Sequence, residues 1–264
     1  MSTVLTLLMT EADRLGFTAS HSGTVARWTA TAEAGIMAAR SGATSEKSGG
    51  RRLDRATIIA AGLELAETTG SASVSIRELG AKLGTDPTAV YRHFRSKDEL
   101  MGALLDELTV RTLAAVTAPP EDWQERLRQL ASATLRELSR YPAVGQEAIV
   151  LTTHGPGELD AIEFMLDAFS RAGLTGEDLV QHYALMATHI LSSAAGVARA
   201  RTERGTAAPS DSSPWFEGPL LVDPIKHPHI AQISAQLLEL EDRELFTLGV
   251  EWVIRSAERA ARPA

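Results

Sequence analysis

Residues Ser75 to Leu100, S-I-R-E-L-G-A-K-L-G-T-D-P-T-A-V-Y-R-H-F-R-S-K-D-E-L, decide the fold. Ser75 followed three residues later by Glu78 is a capping box, a pair that satisfies the free N–H groups at a helix start. The helix it opens carries Leu79 and Leu83 and meets Gly84. Asp86 can cap the next helix, with Pro87 in the first turn, where a missing N–H costs nothing. Ser96 with Glu99 forms a second capping box and opens a third, longer helix. The reading is therefore two short helices across a tight turn, then a Tyr-x-His-Phe corner leading into a long helix.

The side chains of this unit divide by helical position. Ile76, Leu79, Leu83, Val90 and Phe94 fit inward positions, which leaves Pro87, Thr88, Ala89, Tyr91, Arg92 and His93 on or near the outer side of the second helix. Thr and Ala methyls can touch thymine, and Arg can take guanine through two hydrogen bonds. Tyr91, His93 and the helix start at Lys97 can hold phosphates. Residues alone leave two readings: a helix-turn-helix that reads a DNA groove, or a plain helical hairpin whose Tyr and His serve packing.

Charge bears on that choice. The chain of 264 residues has a net charge of −8, the wrong sign for a DNA-binding protein. From Arg51 to Lys97, however, eight cationic residues stand against five acids, a surplus of three that leaves −11 for the remainder. A basic head on an acidic body is the pattern expected when only one end meets phosphate.

Outside this unit the chain reads as helices. From Leu53, the apolar residues Ile58, Ile59, Leu63, Leu65 and Ala66 recur with helical spacing up to Gly70. The helix from Ser96 runs through Leu100, Leu104, Leu105 and Leu108 toward Val116, and Pro119 and Pro120 end it. Further helices are expected over 122–140, 142–151, 159–172 and 176–201. Residues 205–228 hold five of the eleven prolines and read as a long loop, and 229–261 as a last helical stretch with a break near Asp242. The expected fold is all-α, a three-helix head on a larger helical body.

Composition narrows the class. An apolar share of 44% supports a real core, aromatics are only 5%, and Cys is absent, which excludes disulfides and thiolate metal sites. No apolar run reaches membrane-spanning length, and the N-terminal residues lack a basic leader or cleavage pattern. These features suit a cytoplasmic protein. No clustered nucleophile and base, Gly-rich phosphate loop or H-E-x-x-H motif is present, so no enzyme is expected.

The stretch from Leu53 to Leu108 resembles the N-terminal DNA-binding domain of the TetR family of regulators. The resemblance rests on I-I-A-A-G-L-E-L-A-E-T-T-G, S-I-R-E-L-G-A-K-L-G and D-P-T-A-V-Y-R-H-F-R-S-K-D-E-L, in order and without a gap. It implies a homodimeric transcriptional repressor that binds a palindromic double-stranded operator and leaves it when a small molecule enters the C-terminal domain. By the same resemblance the recognition helix falls on Pro87 to Phe94. The phosphate-gripping aromatic, the following His and the phosphate-binding Lys fall on Tyr91, His93 and Lys97, and a base contact falls on Arg77. Ala89 departs from the pattern, since many members have Thr there. Arg51, Arg52, Ser75, Pro87, Thr88, Ala89 and Arg92 complete the DNA-facing set. The surviving rival is a helical interaction protein that kept the hairpin and lost DNA binding.

The implied division is an extension over 1–50, a DNA-binding domain over 51–98 and a ligand-binding and dimerisation domain over 99–264. D-P-I-K-H-P-H-I (223–230) and F-T-L-G-V-E-W-V-I (246–254) resemble a tetracycline-repressor-like ligand domain. In such domains the helix before the long loop and the last helix pair with their copies as a four-helix bundle. Here Ala194, Ala195, Gly196, Leu245, Leu248 and Gly249 would allow close packing. Pocket candidates are Trp123, Ile149, Thr152, His154, Phe164, Phe169, His182, Met186 and His189. His182 and His189 stand about two turns apart on one helix, too far to share a metal. The magnesium-holding His of tetracycline-responsive members falls on Ile149, so neither metal nor cofactor is expected, and the effector is taken as largely apolar. In the extension, L-L-M-T-E-A-D-R-L-G-F-T (7–18) with T-V-A-R-W (24–28) resembles a small excisionase or MerR-type helix-turn-helix, but with a longer turn. A second DNA-reading element and a flexible tail both remain open there, with S-G-A-T-S-E-K-S-G-G (41–50) as linker.

Overall fold

Every helix of the head starts where a side chain can accept its free N–H groups. In the computed structural model, which describes residues 53–68, 74–204, 213–216 and 218–261, Asp54 Oδ1 accepts from Thr57 N at 2.7 Å and opens α1 (Arg55–Thr68). Ser75 Oγ accepts from Glu78 N at 3.4 Å at the start of α2 (Ile76–Lys82), and Asp86 Oδ1 from Thr88 N at 2.8 Å at the start of α3 (Pro87–Tyr91). Ser96 Oγ accepts from Glu99 N at 3.0 Å and opens α4 (Lys97–Ala114). The proposed second helix-turn-helix, the linker over 41–50, Arg51 and Arg52 lie outside the described residues.

The body continues with α5 (Trp123–Arg140), α6 (Pro142–Gly145), a 3-10 turn (Gln146–Ile149), α7 (Pro156–Arg171), α8 (Gly176–Arg204), α9 (Pro228–Glu239) and α10 (Asp242–Ala260). No β-strand occurs among the described residues, whose lone bridge joins Pro214 to Glu241. That bridge explains the break before α10. Trp215 N donates to Leu240 O at 2.8 Å and Asp242 N to Ser213 O at 2.9 Å, so the groups that would continue α9 are taken by the returning loop.

Two helix boundaries differ from expectation. The segment 142–151 is split into α6, the 3-10 turn and extended chain rather than one helix. Helix α7 begins at Pro156, ahead of the expected Leu159, because Asp106 of α4 supplies its cap. The Asp106 carboxylate accepts from Gly157 N at 3.2 Å and Glu158 N at 2.9 Å. A cap delivered from another helix leaves no local sequence pattern.

One hydrophobic core runs from head to body. Ile58, Leu79, Val90, Phe94, Leu100 and Leu104 are buried in the head, and Leu108, Leu127, Phe169, Met186 and Ile254 in the body. Helix α4 supplies residues to both, so a domain boundary at 98/99 cuts through a continuous helix. Polar ties hold the body's outer helices. Arg128 of α5 grips Glu251 of α10 in two bonds of 2.6 and 3.1 Å, and Arg126 reaches Asp167 of α7 at 2.6 Å. Among the described residues no helix is long and apolar enough to cross a membrane.

Helices α8 and α10 approach closely at one point. His189 of α8 lays its ring over Gly249 of α10 and its Nε2 donates to Phe246 O at 2.8 Å, with the Phe246 ring stacked at 5.6 Å. A Cβ at Gly249 would fall on the imidazole. Gly249→Ala should therefore destabilise the protein by ~1–3 kcal/mol through overpacking. Urea melts at matched protein concentration would read this, and an unchanged midpoint would contradict the close approach.

Candidate DNA interface and effector cavity

The turn between α2 and α3 is built by two glycines. Gly84 adopts φ +64, a conformation open to glycine at little cost, and its N–H bonds back to Ala81 O at 3.1 Å. Gly80 lies against backbone of the following turn: a Cβ there would sit 3.1 Å from Pro87 N and from Thr85 O. With Leu79, Val90 and Phe94 buried, and Ile76 and Leu83 packed at the core edge, the α2–α3 pair has one presentation. Thr88, Tyr91 and Arg92 are exposed on α3, Arg77 on α2 and Lys97 at the start of α4. Pro87, Ala89, His93 and Ser75 are half-buried beside them. Tyr91, half exposed at 50%, is not a packing residue.

Arg55 of α1 locks this surface to α4. Its guanidinium lies 4.1 Å above the Phe94 ring, donates to the backbone carbonyl of His93, and donates to Glu99 Oε1 at 2.9 Å. The other carboxylate oxygen of Glu99 accepts from Arg95 N at 2.7 Å. One carboxylate on α4 thus ties the end of the recognition segment and α1 together. The Arg95 N–H and then Arg55 hold the Glu99 carboxyl below its usual range, as the Thr88 hydrogen bonds do for Asp86. Sequence reading counted Arg55 only as one of the head's eight cations; the signal for more was its place directly after the capping Asp54, at the first position of α1.

Behind the head, α4, α5, α7 and α8 enclose a cavity of about 120 Å³. Its α4 wall is Leu105, Leu108, Thr109 and Thr112, and its far wall includes Tyr183, Ala187 and Ile190 of α8. Three of its threonines are less polar than they look. Thr109, Thr112 and Thr134 donate their hydroxyls to the carbonyls of Leu105, Leu108 and Leu130 at 3.0, 2.8 and 2.9 Å. Their hydroxyls are committed to their own helices, so what they add is largely methyl surface. Glu158 and Thr153 supply the polar end. Thr153 Oγ1 lies 3.0 Å from Glu158 Oε2 and 3.1 Å from Asp106 Oδ1, so one hydroxyl hydrogen is shared between a cavity residue and α4.

None of the nine pocket candidates read from the sequence lines this cavity. Trp123, Phe169 and His182 form a series of tilted ring contacts, with centroids 6.4 and 5.9 Å apart, in the body's core. His182 Nδ1 donates to Asp178 O at 2.7 Å and its Nε2 meets the Ser256 hydroxyl at 3.1 Å, an α8–α10 tie. Met186 is fully buried, and Phe164 lies beneath the Arg126 guanidinium at 4.2 Å. Ile149 is 55% exposed, His189 seats on Gly249, and His154 is an exposed loop residue at φ 51. Thr152 faces an open cleft against α4. Large and polar residues were chosen by type, and close packing uses large residues to fill space rather than to border it.

A helix-turn-helix with an exposed cationic and aromatic face, carried on a helical body with an internal cavity, defines a DNA-binding regulator with a separate ligand compartment. Residues 58–104 match the family of bacterial regulatory proteins named for TetR, and residues 116–258 match the tetracycline-repressor-like C-terminal domain. The chain belongs to the TetR family of transcriptional regulators. It is 33% identical over 219 residues to the class D tetracycline repressor protein of Escherichia coli, covering 78% of this chain and 90% of that one. A structure assigned as a transcriptional regulator from Streptomyces coelicolor A3(2) superposes with a TM-score of 0.66 at 25% identity, covering 80% of this chain and all of the other. The TetR family protein ActR of Streptomyces coelicolor, solved in complex with actinorhodin, shares the fold at a TM-score of 0.66 and 19% identity, over 81% of this chain and the whole of that one.

The Glu99 tie has a pH signature. Its folded carboxyl value lies below the ordinary 4.5, so the stability it contributes is complete above that pH and is lost as pH falls through the folded value. Glu99→Gln should lower the urea midpoint at pH 7, and the gap to wild type should close as the pH is taken below 4.5. A gap that stays constant with pH would remove the charge from this account.

Proposed function

We propose that this chain is a ligand-responsive repressor, a homodimer that seats two heads in successive major grooves of a palindromic operator and leaves it when a small, largely apolar effector enters the cavity. The observation that carries the reading is the double use of α4. Leu100 and Leu104 of this helix are buried in the head's core, while Leu105, Leu108 and Thr112 border the cavity. At about 120 Å³ the cavity is smaller than the ~300 Å³ lower bound for drug-sized ligands, so an effector of that size has to displace a wall. Displacing the α4 wall changes where the heads stand, and operator affinity falls through coupling between two states.

The dimer is supported by what one copy leaves uncovered. Leu185, Thr188, Ser192 and Gly196 recur along one exposed stripe of α8, and Leu248 with Trp252, 66% exposed, along one of α10. Helix α9 is amphipathic and none of its residues is buried, although Ile233 and Leu238 are apolar. Stripes at this spacing are what a helical bundle between copies requires. Sequence similarity to a tetracycline repressor, and a shared fold with a protein solved in complex with actinorhodin, support effector control.

A mobility-shift assay on DNA adjoining the gene tests the reading, with intact folding and no salt-sensitive specific binding as the result that leaves the interaction-protein alternative. Within a positive result the residues separate. Lys97→Ala or Tyr91→Phe should weaken binding to all sequences, with Lys97→Ala lowering the salt slope by about 1. Arg77→Ala or Thr88→Ala should cost ~1–3 kcal/mol on the operator and little on random DNA. Equal losses on both DNAs in both sets would refute the division of roles.

A further inference from the structure

The cavity has one charged wall residue. Among the residues lining it, Glu158 is the only acid, and no Lys, Arg or His is present. Its remaining lining is aliphatic or threonine, apart from Met165 and Tyr183. With three threonine hydroxyls held by their own helices, two polar functions stand out: the Glu158 carboxylate and the Tyr183 hydroxyl. The hydrogen bonds to Glu158 from Thr153 Oγ1 and His154 N, at 3.0 and 2.7 Å, both fall on Oε2. The surroundings add further negative charge, since Asp106 shares the Thr153 hydroxyl. Asp106 is offset by the α7 N–H groups it caps, whereas no cationic side chain bonds or pairs with Glu158 among the described residues.

We propose that the cavity selects an organic cation: an apolar body with one ammonium-type nitrogen, held by the Glu158 carboxylate beside Tyr183. This rests on the cavity being the effector site of the repressor reading and names the chemical class of that effector. An anionic effector would enter an apolar space that already holds a carboxylate bonded to the neutral donors Thr153 and His154, and a neutral one would leave its charge without a counter-charge. A cation forms a charge-assisted hydrogen bond with the carboxylate and can rest against the Tyr183 ring face. Burial and the nearby Glu158 charge both push the Tyr183 hydroxyl up, so it stays a donor and does not compete for the cation as an anion. A cation drawn to Glu158 also competes with Thr153 and His154, whose loop is joined to α4 through Asp106, which connects charge recognition with the head.

Three probes of one shape separate the cases: 1-naphthylmethylammonium, 1-naphthylmethanol and 1-naphthoate, titrated into the full-length protein by isothermal calorimetry. The ammonium should bind at least roughly tenfold tighter than the alcohol, and the naphthoate weakest. In Glu158→Gln, where the amide oxygen can still accept from Thr153 and His154, the ammonium should fall to the alcohol's affinity while the alcohol is unchanged. Naphthoate or alcohol matching the ammonium in the wild type, heat from none of the three, or a folded Glu158→Gln that keeps the preference would each overturn the proposal. Should that variant fail to fold by circular dichroism, the wild-type series decides alone. Operator binding, followed separately by fluorescence anisotropy, distinguishes the two readings. Operator binding without cation preference removes this inference and leaves the regulator, and cation preference without operator binding does the reverse.

Discussion

Helix α4 is the constraint on which the rest of the molecule depends, because it cannot serve head and body separately. Its 18 residues form one continuous rod of about 27 Å. Leu104 packs against α1 so closely that a Cβ on Gly62 would touch it at 3.0 Å, and the very next residue, Leu105, borders the cavity. Ser96 and Glu99 at the N-terminal end hold the recognition segment, and Asp106 at mid-helix caps α7. One continuous helix, packed into the head's core at one end and bordering the cavity beyond it, is the element through which the proposed effector control would act.

The same helix explains how an acidic protein keeps a DNA-facing surface. Four of the head's acids are engaged: Asp86 caps α3, Glu99 ties Arg55 and Arg95, Glu64 pairs with Lys82, and Glu67 pairs with Arg140 of α5. Each surface pair is worth little for stability. Their consequence is for the field. Acids held in caps and pairs leave Arg77, Arg92 and Lys97 exposed on the surface proposed to meet DNA. A net charge of −8 is therefore a property of the body and does not describe the surface that meets phosphate.

Legibility in the sequence followed the range of the interaction. Ser75, Asp86 and Ser96 each cap the helix that immediately follows, so the head could be read residue by residue, including the exposed side of α3. The break before α10 was readable from Asp242, although its cause, the return of 213–215 onto Leu240, was not. The start of α7 was misplaced because its cap comes from Asp106, far back in the chain. The cavity was the least legible part. Trp123, Phe169, His182 and Met186 have the chemistry of ligand contacts, yet they fill the core, and the cavity lies where Thr, Ala and Leu side chains end short of one another. A void is a property of four helices together, and no single helix encodes it.

Helix α8 shows how one element meets two packing demands at once. Its inward seam, Met186, Ile190, Ala194, Val197 and Ala198, is buried within the subunit, and Ala195 joins it. Sequence reading placed Ala194, Ala195 and Gly249 at an interface between copies, but these small residues serve the chain's own packing, with Gly249 beneath His189. Gly196 behaves differently: a Cβ there would meet nothing within 4 Å. Leu185, Leu248 and Trp252 share that outward exposure, and three large apolar side chains left in water on two adjoining helices are costly at about 25 cal/mol per Å². In the proposed dimer they come out of water against their own copies, and the cavity, the α4 rod and the head are then held between a fixed bundle on one side and DNA on the other. Under the proposed function, an effector that enlarges the cavity presses on the α4 wall, the wall this cavity shares with the helix packed into the head.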